Sequence, residues 1–339
     1  MNSLSIRRLV AVAVSILLAS ASVVAQESLT FNITLRENVT TQVTAQVYSN
    51  PSGGPGIDVF IVPGLAQTAA TFEPLANALF DEHLGDKVAR VIVADLPGHG
   101  NSAVPDGLVF GLLALEDYVT STLGVIDALD TIDVVIGHSM GALIVQLAQE
   151  RLAAQGTSLR AELGIRGAVL IAPVPAKPAP WAFVDSGTAL GILSAFVRID
   201  PVLGPVVDFP PSVWPGLFYL DRAGNPVGVP SPADLARYIS LESASAGSQV
   251  VHPVLRPSVR LGLFGRSSGT VAGVISLEQD GFFQFPGEHA TLYGNLTGDS
   301  RDKLFFPLIG PDTVHNMHTF NPQALLHPIK KVINSIDRR

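Results

Sequence analysis

Cysteine is absent from all 339 residues of the chain. Its absence excludes disulfides, a thiol nucleophile and any thiolate-held metal, so packing alone must hold the fold together. Charge is scarce as well: Asp, Glu, Lys and Arg make up 15% of the sequence and sum to −8. No basic cluster stands against that balance, which argues against nucleic acid as a partner. Scarce charge does not mean disorder here, because hydrophobic residues supply 47% of a chain long enough to bury a large core.

Long apolar runs are missing too, except at the N-terminus. Leu9 to Val24 is apolar, follows Arg7 and Arg8, and ends in Val23-Val24-Ala25, a small-residue cleavage site ahead of Gln26. Residues 1–25 therefore read as a secretory signal. A secreted or periplasmic protein is expected, with no stable membrane span after cleavage; an uncleaved N-terminal anchor is the alternative. Asn32, Asn38 and Asn295 head Asn-x-Thr sequons that matter only in a glycosylating host.

What is present is an alternation of strands and helices. Ser28 to Tyr48 alternates as an antiparallel hairpin. Asp58–Val62, Arg90–Ala94, Thr131–Ile136 and Gly167–Ile171 read as buried strands, with helices over 69–80, 115–129 and 142–152 between them. Such alternation predicts a parallel sheet covered on both faces. From Pro173 to Pro257 the texture changes: 14 of the 25 prolines fall there, among scattered aromatics. Proline removes ladder donors, so this segment predicts a cap inserted over the sheet. Strands at 273–277 and 304–309 and a helix over 322–336 resume the pattern, while Val259–Phe264 is ambiguous between cap edge and strand. The expected organisation is signal 1–25, core 26–175, cap 176–265 and core 266–339.

The chemistry centres on Gly137-His138-Ser139-Met140-Gly141, between a strand and a helix. A turn that sharp lifts the Ser139 hydroxyl clear of the sheet, and its glycines let the helix pack close. A serine needs a base, and the base needs a carboxylate to fix its tautomer. His315, first after the last strand, is the candidate base, ahead of His318, whose plainer reading is a helix cap or surface residue. His99, His138 and His252 are weaker candidates; on the sharp turn the His138 side chain should point away. Asp280 is the candidate acid, since it completes the order serine, acid, histidine along the chain. Asp185 and Asp200 are its rivals, and Asp312 stands too near His315. The amides of Met140 and Leu65 are the candidate oxyanion donors.

Gly-His-Ser-Met-Gly, the upstream Asp95-Leu96-Pro97-Gly98-His99-Gly100-Asn101-Ser102 and the late His315-Asn316-Met317-His318 together resemble the α/β-hydrolase superfamily. The resemblance covers about 58–171 and 273 onward. It implies a mostly parallel, doubly wound sheet of α/β-hydrolase type with an inserted cap. It also implies Ser139 as nucleophile, His315 as base, Asp280 as acid, and Leu65 with Met140 as the oxyanion hole. Two stretches depart from the pattern. The oxyanion loop usually reads His-Gly and here reads Pro63-Gly64, which loses the histidine's hydrogen bonds. The acid loop, usually Gly-x-x-Asp, reads Leu277-Glu278-Gln279-Asp280. The expected activity is that of an exported serine esterase acting on an apolar carboxylic ester of small to medium size, with no metal or organic cofactor. The same triad would equally serve a lactone, amide or carbon–carbon hydrolase or a perhydrolase. A ligand-binding protein on the hydrolase scaffold is the reading from outside catalysis.

Overall fold

The structure, a computed structural model, describes residues 25–80, 84, 87–106, 113–173, 197–200, 204–207, 218–221, 223–238, 264–265, 268–280 and 302–336. Strands β1 (Ala25–Arg36) and β2 (Val39–Ser49) form the hairpin that opens the fold. Then follow β3 (Ile57–Val62), α1 (Glu73–Ala78), β4 (Val88–Ala94), α2 (Leu115–Leu129), β5 (Ile132–His138), α3 (Met140–Ala154), α4 (Leu159–Leu163) and β6 (Gly167–Ile171). The short ribbon β7 (Val197–Asp200) and β8 (Gly204–Val207) precedes α5 (Pro232–Tyr238), β9 (Val271–Leu277), β10 (Lys303–Leu308) and α6 (Gln323–Ile336). Among the described residues, the main sheet has eight strands in the order β1-β2-β4-β3-β5-β6-β9-β10. β1 and β2 run antiparallel at one edge, and the six strands from β4 to β10 are parallel.

Burial on both faces explains the composition of the central strands. All six residues of β3 are buried. Phe60 and Val62 join the core shared with α2 and α3, while Val59 and Ile61 join the opposite core under α1 and α6. A strand with a core on each side has no polar face, so it reads as a continuous apolar run. Truncating such a side chain to Ala costs about 2–5 kcal/mol. Helix α2 begins where the Asp117 carboxylate accepts the Ala114 amide at 2.7 Å, and Arg36 holds the same carboxylate at 2.9 Å.

The order of strands places the site. From β3 the chain crosses to β4 on one side, whereas from β5 it crosses to β6 on the other. The sheet's switch point therefore lies between β3 and β5, where a crevice opens at the carboxyl ends of the strands. The loop after β3 and the turn after β5 both end there.

Some expectations change. The helix expected over 69–80 is a 3-10 turn (Ala69–Phe72) followed by α1, with Pro74 in the first turn of α1. Helix α4 is unforeseen, because five residues are too few to show a helical period. Within 176–265 the described parts are the β7–β8 ribbon, residues 218–221 and 223–238, and residues 264–265. Residues 1–24, and Val259–Phe264 apart from the buried Phe264, lie outside the described residues. Among those described, no helix is long and apolar enough to cross a membrane.

Candidate active site

Ser139 stands between β5 and α3 with φ 53° and ψ −120°. A non-glycine residue holds that left-handed backbone only under constraint. Here the constraint comes from hydrogen bonds on both sides. The Ser139 amide donates to the Ile171 carbonyl at 2.9 Å, and its own carbonyl accepts the Ala142 amide at 3.0 Å. The flanking glycines allow the close approach: a Cβ on Gly137 would lie 2.6 Å from the Ala142 Cα, and one on Gly141 would strike the Val62 carbonyl. Ser139 is half-buried between the buried His138 and Met140.

The histidine and the acid come from neighbouring parallel strands. His315 Nδ1 lies 2.9 Å from Asp280 Oδ2, with the side chains 2% and 0% exposed. A carboxylate accepts, so the imidazole donates from Nδ1 and carries its acceptor lone pair on Nε2. The loops after β9 and β10 are stitched together around this pair. The Gln279 amide donates to the Thr313 carbonyl at 3.2 Å, and the Gly310 amide donates to Glu278 Oε2 at 2.9 Å. Of the rival acids, Asp185 lies outside the described residues, Asp200 sits on the separate β7–β8 ribbon, and Asp312 is exposed. His252 also lies outside the described residues.

The loop after β3 packs directly on the serine: a Cβ on Gly64 would lie 3.0 Å from the Ser139 Cβ. Ala66 holds φ 55° within this loop. Among the described residues, neither the Leu65 nor the Met140 amide has a hydrogen-bond acceptor. Two amides without acceptors beside a serine, one of them opening a helix, suit an anion.

One histidine departs from expectation. His318 is neither a surface residue nor an exposed cap; it is fully buried and stacks on Phe72 with ring centres 4.3 Å apart. Neither of its ring nitrogens has a partner among the described residues. Burial, with His138 and His315 alongside, holds it well below the usual histidine range. His138 turns inward beneath the His315 loop, its Nδ1 2.9 Å from Gln67 Oε1 and its Nε2 2.9 Å from the His315 carbonyl. Burial, and then the neighbouring His315, push its pKa down to about 3. Among the described residues, no three His, Asp or Glu gather as metal ligands would.

The mostly parallel sheet agrees with a direct comparison of sequence. The model of the Alpha/beta hydrolase family matches residues 59–286, more than half of the chain. This chain belongs to that family. The hydrolase fold also appears in solved structures. A thermophilic esterase from Thermogutta terrifontis is 15% identical, with a TM-score of 0.59 over 91% of this chain and 99% of that one. A bromoperoxidase from Bacillus anthracis is 14% identical, with a TM-score of 0.61 over 90% and 100%. A peroxisomal alpha-beta-hydrolase from Saccharomyces cerevisiae is 14% identical, with a TM-score of 0.58 over 92% and 90%. No curated protein matches this hydrolase in sequence.

The structure of this hydrolase also brings in residues that the sequence did not point to. Gln67 and Asn316 are 1% and 0% exposed and bond to each other across the site, Gln67 Nε2 donating to Asn316 Oδ1 at 2.8 Å. A glutamine in a loop carries no catalytic signature, and its partner lies 249 residues away. Phe218 reaches the same place, its ring centre 5.6 Å from that of His315. Its carbonyl accepts the Asn316 amide at 3.2 Å.

Proposed function

We propose that this member of the hydrolase family is an exported serine esterase that cleaves a small apolar carboxylic ester. The reading is carried by the buried His315–Asp280 pair at 2.9 Å, on the sheet edge that also bears the constrained Ser139 turn. Ser139 Oγ attacks the acyl carbon while His315 Nε2 takes its proton. The carbonyl oxygen becomes an anion that accepts the Leu65 and Met140 amides. Collapse re-forms the carbonyl, breaks the bond to the alkoxy group, and His315 returns the proton to the departing alcohol. Water then repeats the sequence on the acyl-enzyme and releases the acid. Asp280 stays ionised throughout, holding the imidazole in the Nδ1–H tautomer. The Phe218 ring beside His315 favours an apolar substrate group. The n-region Arg7 and Arg8 and the apolar run behind them support export.

The test is fluorophosphonate labelling of the mature protein beside Ser139→Ala, read by intact mass and followed by esters graded in acyl length. The expected result is one adduct on wild type, none on the variant, and a loss of turnover of about 10⁶-fold. A folded wild type that takes no adduct overturns the reading and brings forward a ligand-binding protein on this scaffold.

A further inference from the structure

The loop after β3 begins with Pro63, which has no amide hydrogen and no polar side chain, where the family's usual histidine would supply hydrogen bonds. Yet the loop holds Ala66 in a left-handed conformation and presents Leu65 beside Ser139. Something else must fix it. The Gln67 amide donates to the Gly64 carbonyl at 3.3 Å, closing a turn, and the Gly64 amide donates back to Gln67 Oε1 at 2.6 Å. The same Oε1 faces His138 Nδ1 at 2.9 Å, and Gln67 Nε2 donates to Asn316 Oδ1 at 2.8 Å. One buried side chain thus reaches three segments: the oxyanion loop, the end of β5 just before Ser139, and the residue after His315. His138, neutral and so with a single N–H, donates either from Nδ1 to Gln67 Oε1 or from Nε2 to the His315 carbonyl, each 2.9 Å away.

A buried amide that merely filled space would cost free energy for each polar atom left unpaired. Both polar atoms of Gln67 are paired, and each pairing ends one residue from a group the reaction uses: Gly64 adjoins Leu65, and Asn316 adjoins His315. We infer that Gln67 is a positioning residue that sets the oxyanion loop and the His315 loop in register across the Ser139 elbow. The inference rests on the serine-hydrolase reading above. Misplacing reacting groups by about 1 Å costs about 10²-fold in rate, and such a loss falls on kcat because the geometry matters only in the transition state.

Two substitutions separate positioning from packing. Gln67→Met keeps the length and the backbone bond to Gly64 but removes every side-chain hydrogen bond. Gln67→Glu keeps the acceptor for Gly64 and His138, and Asn316 can rotate to offer Nδ2, which has no partner among the described residues. The expected result is a fall in kcat of about 10²-fold for Gln67→Met with KM unchanged, matched by slower fluorophosphonate labelling of Ser139. Gln67→Glu recovers most of that loss. Asn316→Ala falls in the same direction, and the Gln67→Met/Asn316→Ala double variant falls no further than the worse single one. The inference is overturned if Gln67→Met retains wild-type kcat, if KM alone moves, or if Met serves better than Glu. Should either Gln67 variant fail to fold, Asn316→Ala decides, and wild-type kcat in that variant overturns the inference. If wild type itself takes no label, the hydrolase reading has failed; if wild type and Gln67→Met label equally fast, the positioning role alone has failed.

Discussion

Two turns at the carboxyl edge of the sheet use the same residue types to opposite ends. One runs from Asp95 to Ser102 after β4; the other is the pair of loops holding Asp280 and His315. Each contains a buried aspartate and a buried histidine. In the first, the Asp95 carboxylate accepts the Ala69 amide at 2.5 Å and the Asn101 amide at 2.8 Å. His99 Nδ1 meets the Pro97 carbonyl at 3.1 Å, and Ser102 Oγ donates to the Asp95 carbonyl while accepting the Thr44 amide. Every one of these bonds closes on backbone, so the turn clamps β2, β4 and the 3-10 turn together. In the second, the carboxylate closes on an imidazole. A buried aspartate answered by amides is scaffold, whereas one answered by a histidine leaves a lone pair on the far nitrogen for chemistry.

Substitutions at the two aspartates should therefore separate activity from stability. Asp280→Asn replaces a group that can only accept with an amide that can also donate, so the His315 tautomer is no longer enforced, and kcat should fall by about 10⁴-fold with a melting temperature near that of wild type. Unchanged turnover in a folded Asp280→Asn protein would return Asp185 and Asp200 to contention as the acid.

Acid should act on stability next. Burial lowers His99 to about 4 and His138 to about 3, and holds His318 well below its ordinary value. As pH falls below about 6.5, the unfolded chain binds protons that these three refuse, so stability is lost. Asp95 opposes them, since burial raises it from 3.8 to about 6 and the folded chain takes that proton first. Three against one leaves a net uptake of about two protons on unfolding. Thermal melts between pH 7.5 and 4.5 should show a falling midpoint; a flat profile would mean that these imidazoles are protonated in the native state.

The smallest effect is expected at Asp95→Asn, which leaves one amide facing an N–H group. It should cost about 1–3 kcal/mol of stability and leave kcat/KM per folded molecule unchanged. A large loss of kcat without loss of stability would end the contrast between the two turns.

The sequence made the fold legible where one physical cause dominated. Burial on both faces marks β3, β5 and β6 as mostly apolar runs, and a simple amphipathic period delimits Leu115–Leu129. The Ser139 elbow was legible because only glycine fits at 137 and 141. The pairing of Asp280 with His315 was readable only as an order along the chain; the facing of the two side chains depends on the bonds between the β9 and β10 loops. Gln67, Asn316 and the buried position of His318 were hidden. Each depends on partners far away in sequence, and nothing local distinguishes a buried amide or imidazole from a solvated one.

The φ of 53° at Ser139 has a consequence for any attempt to improve this protein. A serine there is held against its own backbone preference, and glycine would adopt the same turn without strain. Ser139→Gly should therefore give a sturdier protein with no nucleophile. Selection by heat resistance alone would reward the inactive chain, so a screen for robust variants has to measure turnover in the same well.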